Sequence, residues 1–193
     1  MGRLFLIIAK RIVPVEVFSA HWKALADYRR TPVTPDWIAR FAVVLIPAIV
    51  FVVMWGTSGS LTAPAALLTG MALLAGGLLS AFSQLSALRL KLSDRLDKAI
   101  KGDSARRDHL DETAAHLLVA AYMAALTAVL LVIGMNVSTN AHGALTGLLA
   151  WSAASTSVHV ALVFFIALPR LYVGYASVNG VRKELDGTHS NYR

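Results

Sequence analysis

The sequence predicts an all-α polytopic membrane protein, with four membrane-crossing helices and a cytoplasmic helical hairpin between the second and third. Three observations predict it. Hydrophobic residues make up 56% of the 193 and charged residues only 15%, where a soluble domain is about a quarter charged. Four apolar runs, about 37–56, 62–84, 114–135 and 143–168, approach or exceed the roughly 20 residues that a helix needs to cross a bilayer. Their connections alternate in charge. GTSGSLT (56–62) and NVSTNAHG (136–143) carry no Lys, Arg, Asp or Glu, and all 18 Lys and Arg fall in the first forty residues, within 89–107, or from Arg170 onward. Positive charge is retained on the cytoplasmic side. Both termini and the middle loop are therefore expected in the cytoplasm.

The N-terminal arm, 1–34, opens with MGRLFLIIAKRI. Its apolar core LFLIIA is too short for a secretory signal, and no small-residue cleavage site follows. Leu4, Phe5, Ile8 and Ile12 share a helical face flanked by Arg3, Lys10 and Arg11, which suits an amphipathic helix lying among the inner headgroups. In TPVTPDWIAR, Thr34 is expected as the N-cap of the first span, with Pro35 as the first helical residue and Asp36 at the positive end of the helix dipole. Trp37 and Arg40 then lie at interface depth. The stretch from Trp37 to Gly56 is about 30 Å long as a helix, one hydrocarbon thickness, and Pro47 near its centre is expected to bend it.

The second span begins at Thr62 with Pro64 in its first turn, and it does not stop at the membrane edge. Leu85, Leu88, Leu92, Leu96 and Ile100 continue the helical spacing into a charged segment, up to Gly102 as a C-terminal cap. Asp103 or Ser104 caps the returning helix, so 85–113 forms the hairpin and projects about 20–25 Å at about 1.5 Å per residue. The fourth span ends at Pro169-Arg170, and 169–193 is a cytoplasmic tail with Tyr172 and Tyr175 at the interface. The spans and hairpin, 35–168, read as one domain.

Catalytic chemistry is not indicated. Cys is absent, which excludes disulfides, thiolate metal sites and cysteine nucleophiles. The chain lacks the phosphate-binding loop, the G-x-S-x-G elbow and the H-E-x-x-H zinc motif. The six histidines are scattered, and His109 and His116, about 10 Å apart on one helix, are too distant to share a metal ion unaided. They read as exposed or interfacial. No enzyme activity, metal or cofactor is expected. The net charge of +7 sits beside the membrane, which favours anionic headgroups over nucleic acid as its partner.

Small residues carry a stronger signal. Ala72, Gly76 and Ser80, then Ala120, Ala124 and Ala128, then Gly143 and Gly147, recur at four-residue spacing, which lets helix backbones approach closely within one chain or between copies of a homo-oligomer. WSAASTSVHV (151–160) places Ser152, Thr156 and His159 on one helical face with Ser155 beside His159, at membrane depth; Ser80 and Gln84 of the second span lie at comparable levels. The stripe is expected either to fix helix register or to line a wet path. Arg29, Arg30, Arg95, Arg106 and Arg107 are candidates for docking a cytoplasmic protein or an anionic ligand, while Arg89, Lys91 and Arg95 leave the membrane where Asp108, Asp111 and Glu112 return to it.

The layout resembles small bacterial four-span membrane proteins of anti-phage defence operons. The likeness lies in the basic N-terminal arm, the Pro35-Asp36-Trp37 start of the first span and the hairpin with its acidic return at Asp111-Glu112. Membrane effectors opened by cyclic-nucleotide signals and the membrane subunit of the Kiwa system are of this class. The resemblance implies an oligomer in the inner membrane that pairs with a soluble cytoplasmic component and senses or permeabilises the membrane. It offers no motif from which a functional residue could be carried over. A constitutive channel or transport subunit using the Ser/Thr/His stripe, and a structural membrane anchor, are the alternatives.

Overall fold

The computed structural model describes residues 14–27, 34–96 and 103–179, with the side chains of Asp27, 91–96, 103–109, 174 and 177–179 left out. The described residues form helices and one minimal strand pair, joined by short irregular loops. The order is α1 (Val15–Ala24), β1 (Ala26–Asp27), β2 (Thr34–Pro35), α2 (Trp37–Gly56), α3 (Pro64–Leu96), α4 (Asp103–Val137) and α5 (Gly147–Asn179). The last four are long and apolar enough to cross a membrane. The arm residues Leu4, Phe5, Ile8 and Ile12 lie outside the described part, as do the tail beyond Asn179 and the hairpin tip with Gly102.

Each boundary has a local cause. α2 begins two residues later than the sequence suggests, because Thr34 and Pro35 pair antiparallel with Asp27 and Ala26. Asp36 is therefore the N-cap, its carboxylate accepting from the Ala39 amide at 3.0 Å. The fourth span was expected to open at Gly143, but α5 starts at Gly147. Residues before it form a loop in which the Asn140 side chain accepts from the His142 and Ala144 amides. Pro169 does not end α5, which runs on to Asn179. The ring removes one backbone hydrogen bond, while the next residue, Arg170, is tied into the neighbouring helices as described below.

α4 is the centre of the packing. It lies against α3 on one side and α5 on the other, α2 packs on α5, and α1 rests on α4. α3 and α5 scarcely touch. Three apolar layers hold the arrangement: Val43, Leu78, Leu85, Leu117 and Val163 at the α1 end; Met71, Ala124 and Val160 in the middle; Leu131, Leu145 and Ala150 at the other end. The predicted small-residue face of α4 does lie in the packing, since Ala120 and Ala124 are fully buried. At the far end the two loops are stitched together. Leu61 and Leu145 exchange backbone hydrogen bonds at 2.9 Å, and the Trp151 indole donates to the Gly59 carbonyl at 3.0 Å. Gly134 permits this, because a Cβ there would stand 2.8 Å from the Leu145 side chain.

Candidate functional site

The richest polar chemistry lies where α1 meets the bundle. Pro14 precedes the first turn and Glu16 lies in it, which suits the positive end of a short helix. One face of α1 turns inward. Phe18 meets Tyr122 edge-on at 5.6 Å, and His21 is 4% exposed. The carbonyls at the end of α1, which a helix cannot satisfy itself, are taken by two guanidinium groups from other helices. Arg40 of α2 donates to Leu25 O at 3.1 Å and Trp22 O at 2.9 Å, and Arg170 of α5 donates to Ala24 O at 2.6 Å. Cations at a helix C-terminus also complement its dipole. The Arg40 guanidinium further lies 5.2 Å from the Trp22 ring and 5.6 Å from that of Trp37.

Behind these contacts runs a chain of charged and imidazole groups. Arg170 Nη1 stands 2.9 Å from His116 Nε2, and His116 Nδ1 stands 2.7 Å from His21 Nδ1. An arginine can only donate, so His116 accepts at Nε2, carries its proton on Nδ1 and donates to His21, whose own proton is then on Nε2. Glu112, one turn before His116 on α4, lies 3.6 Å from Arg170, a charge contact beyond hydrogen-bond length. His21 Nε2 and Glu112 Oε2 are buried and have no hydrogen-bond partner among the described residues. His116, read from sequence as exposed or interfacial, is fully buried; its partner lies 95 positions away in the chain.

Burial, with the charges of His159 and Arg170 adding to it, lowers the pKa of His21 from 6.5 to about 4. Its neutral form accepts the His116 proton; a proton on His21 Nδ1 would replace that acceptor with a second donor. Released α1 binds a proton near pH 6.5 and docked α1 only near pH 4, so docking is strongest above pH 6.5 and weakens as the pH falls through that window. A cysteine placed at buried Ala24 is expected to react faster with maleimide at pH 5 than at pH 7.5, after correction for thiolate fraction. An unchanged corrected rate would contradict this account of His21.

The Ser/Thr/His stripe lies along α5, against α2 and α4. His159 Nδ1 donates to the Val43 carbonyl at 3.1 Å, and Ser155 donates to the Pro47 carbonyl at 2.8 Å. Pro47 has no N–H, so Val43, four residues earlier, lacks its helical donor. His159 fills that place. The hydroxyls of Thr127 and Thr156 lie 2.8 Å apart between α4 and α5, and Thr156 also bonds back to the Ser152 carbonyl. Ser80 and Gln84 are exposed on α3 and no hydrogen bond joins them to the stripe.

Arg29 and Arg30 lie outside the described residues, as do the side chains of Arg95, Arg106 and Arg107. The charged stems of the hairpin do meet: Arg89 Nε and Nη2 donate to the two Asp111 oxygens at 2.7 and 3.0 Å. Gly76 is exposed, with open space where a side chain would stand. Gly143 and Gly147 were expected to pack helices together. They instead occupy left-handed backbone conformations, φ 76° and 72°, with open space around both; they turn the chain into α5.

The sequence reading missed Arg40, Glu112, His116 and Arg170 as a cluster. A signal was present in the spacing of Glu112 and His116, one turn apart at the edge of an apolar run, with Arg170 at the corresponding edge of the last. Comparison with protein-family models, curated proteins and solved structures gives no match for this chain.

Proposed function

We propose that this is a non-enzymatic four-span protein of the bacterial inner membrane, with the α1 end in the cytoplasm. In this reading it acts as a homo-oligomeric sensor or effector subunit together with a cytoplasmic partner. Membrane residence is supported by the outward faces of α2 and α3. Ile38 is 85% exposed and Leu73 73%, among a run of exposed Leu, Val and Phe side chains, which water would drive into aggregation. The orientation rests on the basic residues at the α1 end and their absence from the opposite loops. The resemblance to membrane subunits of anti-phage defence operons gives the role its setting.

One observation carries the sensing role. α1 is held at its C-terminal end by arginines from α2 and α5, while its inner face packs on α4. A partner that draws α1 away must break contacts to three spans at once. In a phage-plating assay of the native operon, replacing Arg29, Arg30, Arg106 and Arg107 by Ala is expected to abolish protection while leaving the protein in the membrane. Undiminished protection would sink the docking role.

The cysteine-free chain also permits a direct test of topology. Glu16→Cys and Thr139→Cys lie on exposed positions at opposite ends. A membrane-impermeant maleimide added to intact spheroplasts is expected to label only Thr139→Cys. The reverse pattern would invert the protein.

A further inference from the structure

α3 and α5 both pack on α4 but scarcely touch each other, and a gap between them is lined by Leu73 to Leu88 of α3 and Phe164 to Tyr175 of α5. The gap is an apolar recess of about 270 Å³ walled by Leu74, Leu78, Phe164 and Leu168 and floored by Leu117. It continues into a second recess of about 360 Å³, where Gln84 of α3 and Tyr172 and Tyr175 of α5 supply the polar atoms. The two share Ala81, Leu168 and Leu171, so they form one groove. Towards the far end it closes, because Met71 packs with Ala124 and Val160.

We propose that this groove binds one glycerophospholipid of the inner leaflet, with an acyl chain between α3 and α5 and the ester region at Gln84. The inference rests on the membrane reading above. Depth is the first argument. From Pro64 at the start of α3 to Gln84 is about 30 Å at about 1.5 Å per residue, the thickness of the hydrocarbon layer. Gln84 therefore stands where acyl chains meet their ester groups. From Gln84 back to Leu73, the outermost α3 residue of the groove, is about 16 Å, close to half that thickness.

Chemistry is the second argument. The part nearer the bilayer centre is walled by aliphatic and Phe side chains, and the polar groups lie at the cytoplasmic mouth. Gln84 makes no hydrogen bond among the described residues, so its amide is free to donate to an ester or phosphate oxygen. A membrane-crossing helix from a second copy fits less well, because it would need contact through the full thickness, and the groove ends where Met71 closes it.

The test uses the full chain reconstituted in vesicles of equimolar phosphatidylethanolamine and phosphatidylglycerol, then extracted in mild detergent for native mass spectrometry. The wild type is expected to retain one phospholipid per chain. A Cβ at Gly77 meets nothing within 4 Å, and Gly77 lines the groove, so Gly77→Leu fills it; the variant is expected to lose that lipid while keeping its helical circular dichroism. Ala81→Phe blocks the groove where its two parts meet and should do the same, and Gln84→Leu should weaken retention. No retained lipid in the wild type, or equal retention in both filled variants, overturns the site. So does a filled variant that changes oligomer mass with its lipid intact, which would mark the groove as a contact between copies. Release of the chain from membranes by alkaline carbonate would instead overturn the membrane reading, and the lipid site with it.

Discussion

Arg170→Met is expected to undock α1 and to lower stability by about 3–5 kcal/mol, the range for breaking one partner out of a buried charged network. The side chain is 23% exposed and serves three groups: it donates to Ala24 O and His116 Nε2 and balances Glu112. Methionine fills similar space but leaves a helix-end carbonyl, an imidazole nitrogen and a carboxylate without their partner. Arg170→Lys should not restore the wild type: one nitrogen, Nη1, makes both bonds, and it stands one covalent bond further from the backbone than a lysine Nζ can. Two readouts separate undocking from general unfolding. Thermal unfolding in detergent gives the stability, and maleimide reaction at Ala24→Cys reports whether α1 has lifted. A double variant, Arg170→Met with Glu112→Gln, should recover part of the loss by removing the stranded charge. Unchanged stability and a still-protected Ala24→Cys would show that Arg170 does not hold the latch.

The same residue shows where sequence reasoning stops. The apolar run from Trp37 to Gly56 was legible as one long helix from its own length and composition, with only its N-cap displaced from Thr34 to Asp36. The charged stem of the hairpin was legible too, and Arg89 meets Asp111 as the sequence suggests. Pro169-Arg170, by contrast, reads locally as the end of the fourth span. Its role depends on Ala24, 146 positions earlier, and no local pattern encodes that pairing. Gly143 and Gly147 mislead for a related reason. Four-residue spacing signifies a helix face only if both residues are helical, and a left-handed φ at each removes that premise. α1 itself was hidden because a helix of 10 residues is too short to stand on propensity and is formed by its packing. The stripe in α5 was legible as a set of polar residues. Its partners were not, since Val43 and Pro47 offer backbone carbonyls rather than side chains.

Those carbonyls allow the stripe to be tested by a thermodynamic cycle. Val43 is buried, and its carbonyl is without a helical donor because Pro47 supplies none. His159→Leu then strands the carbonyl, at a cost of about 1–3 kcal/mol. Pro47→Ala returns an N–H to that position, so the same His159→Leu change should cost clearly less in the Pro47→Ala background. The predicted coupling is therefore positive and of the order of 1 kcal/mol. Ser155→Ala is the internal control. The Pro47 carbonyl that Ser155 reaches can still accept from the Phe51 amide one turn on, so losing the hydroxyl removes a second bond rather than the only one. Its effect should be the smaller of the two and should not depend on Pro47→Ala through a missing donor. Thermal unfolding of the four combinations in one detergent measures the cycle. If the effects of His159→Leu and Pro47→Ala simply add, His159 is not replacing the absent amide, and its place in the apolar run of α5 requires another cause, of which a water-filled path between copies is the first to examine by liposome flux. If they couple as expected, proline and histidine on separate helices form one device: the first opens a hydrogen-bond vacancy inside α2, and the second fixes α5 in register by filling it.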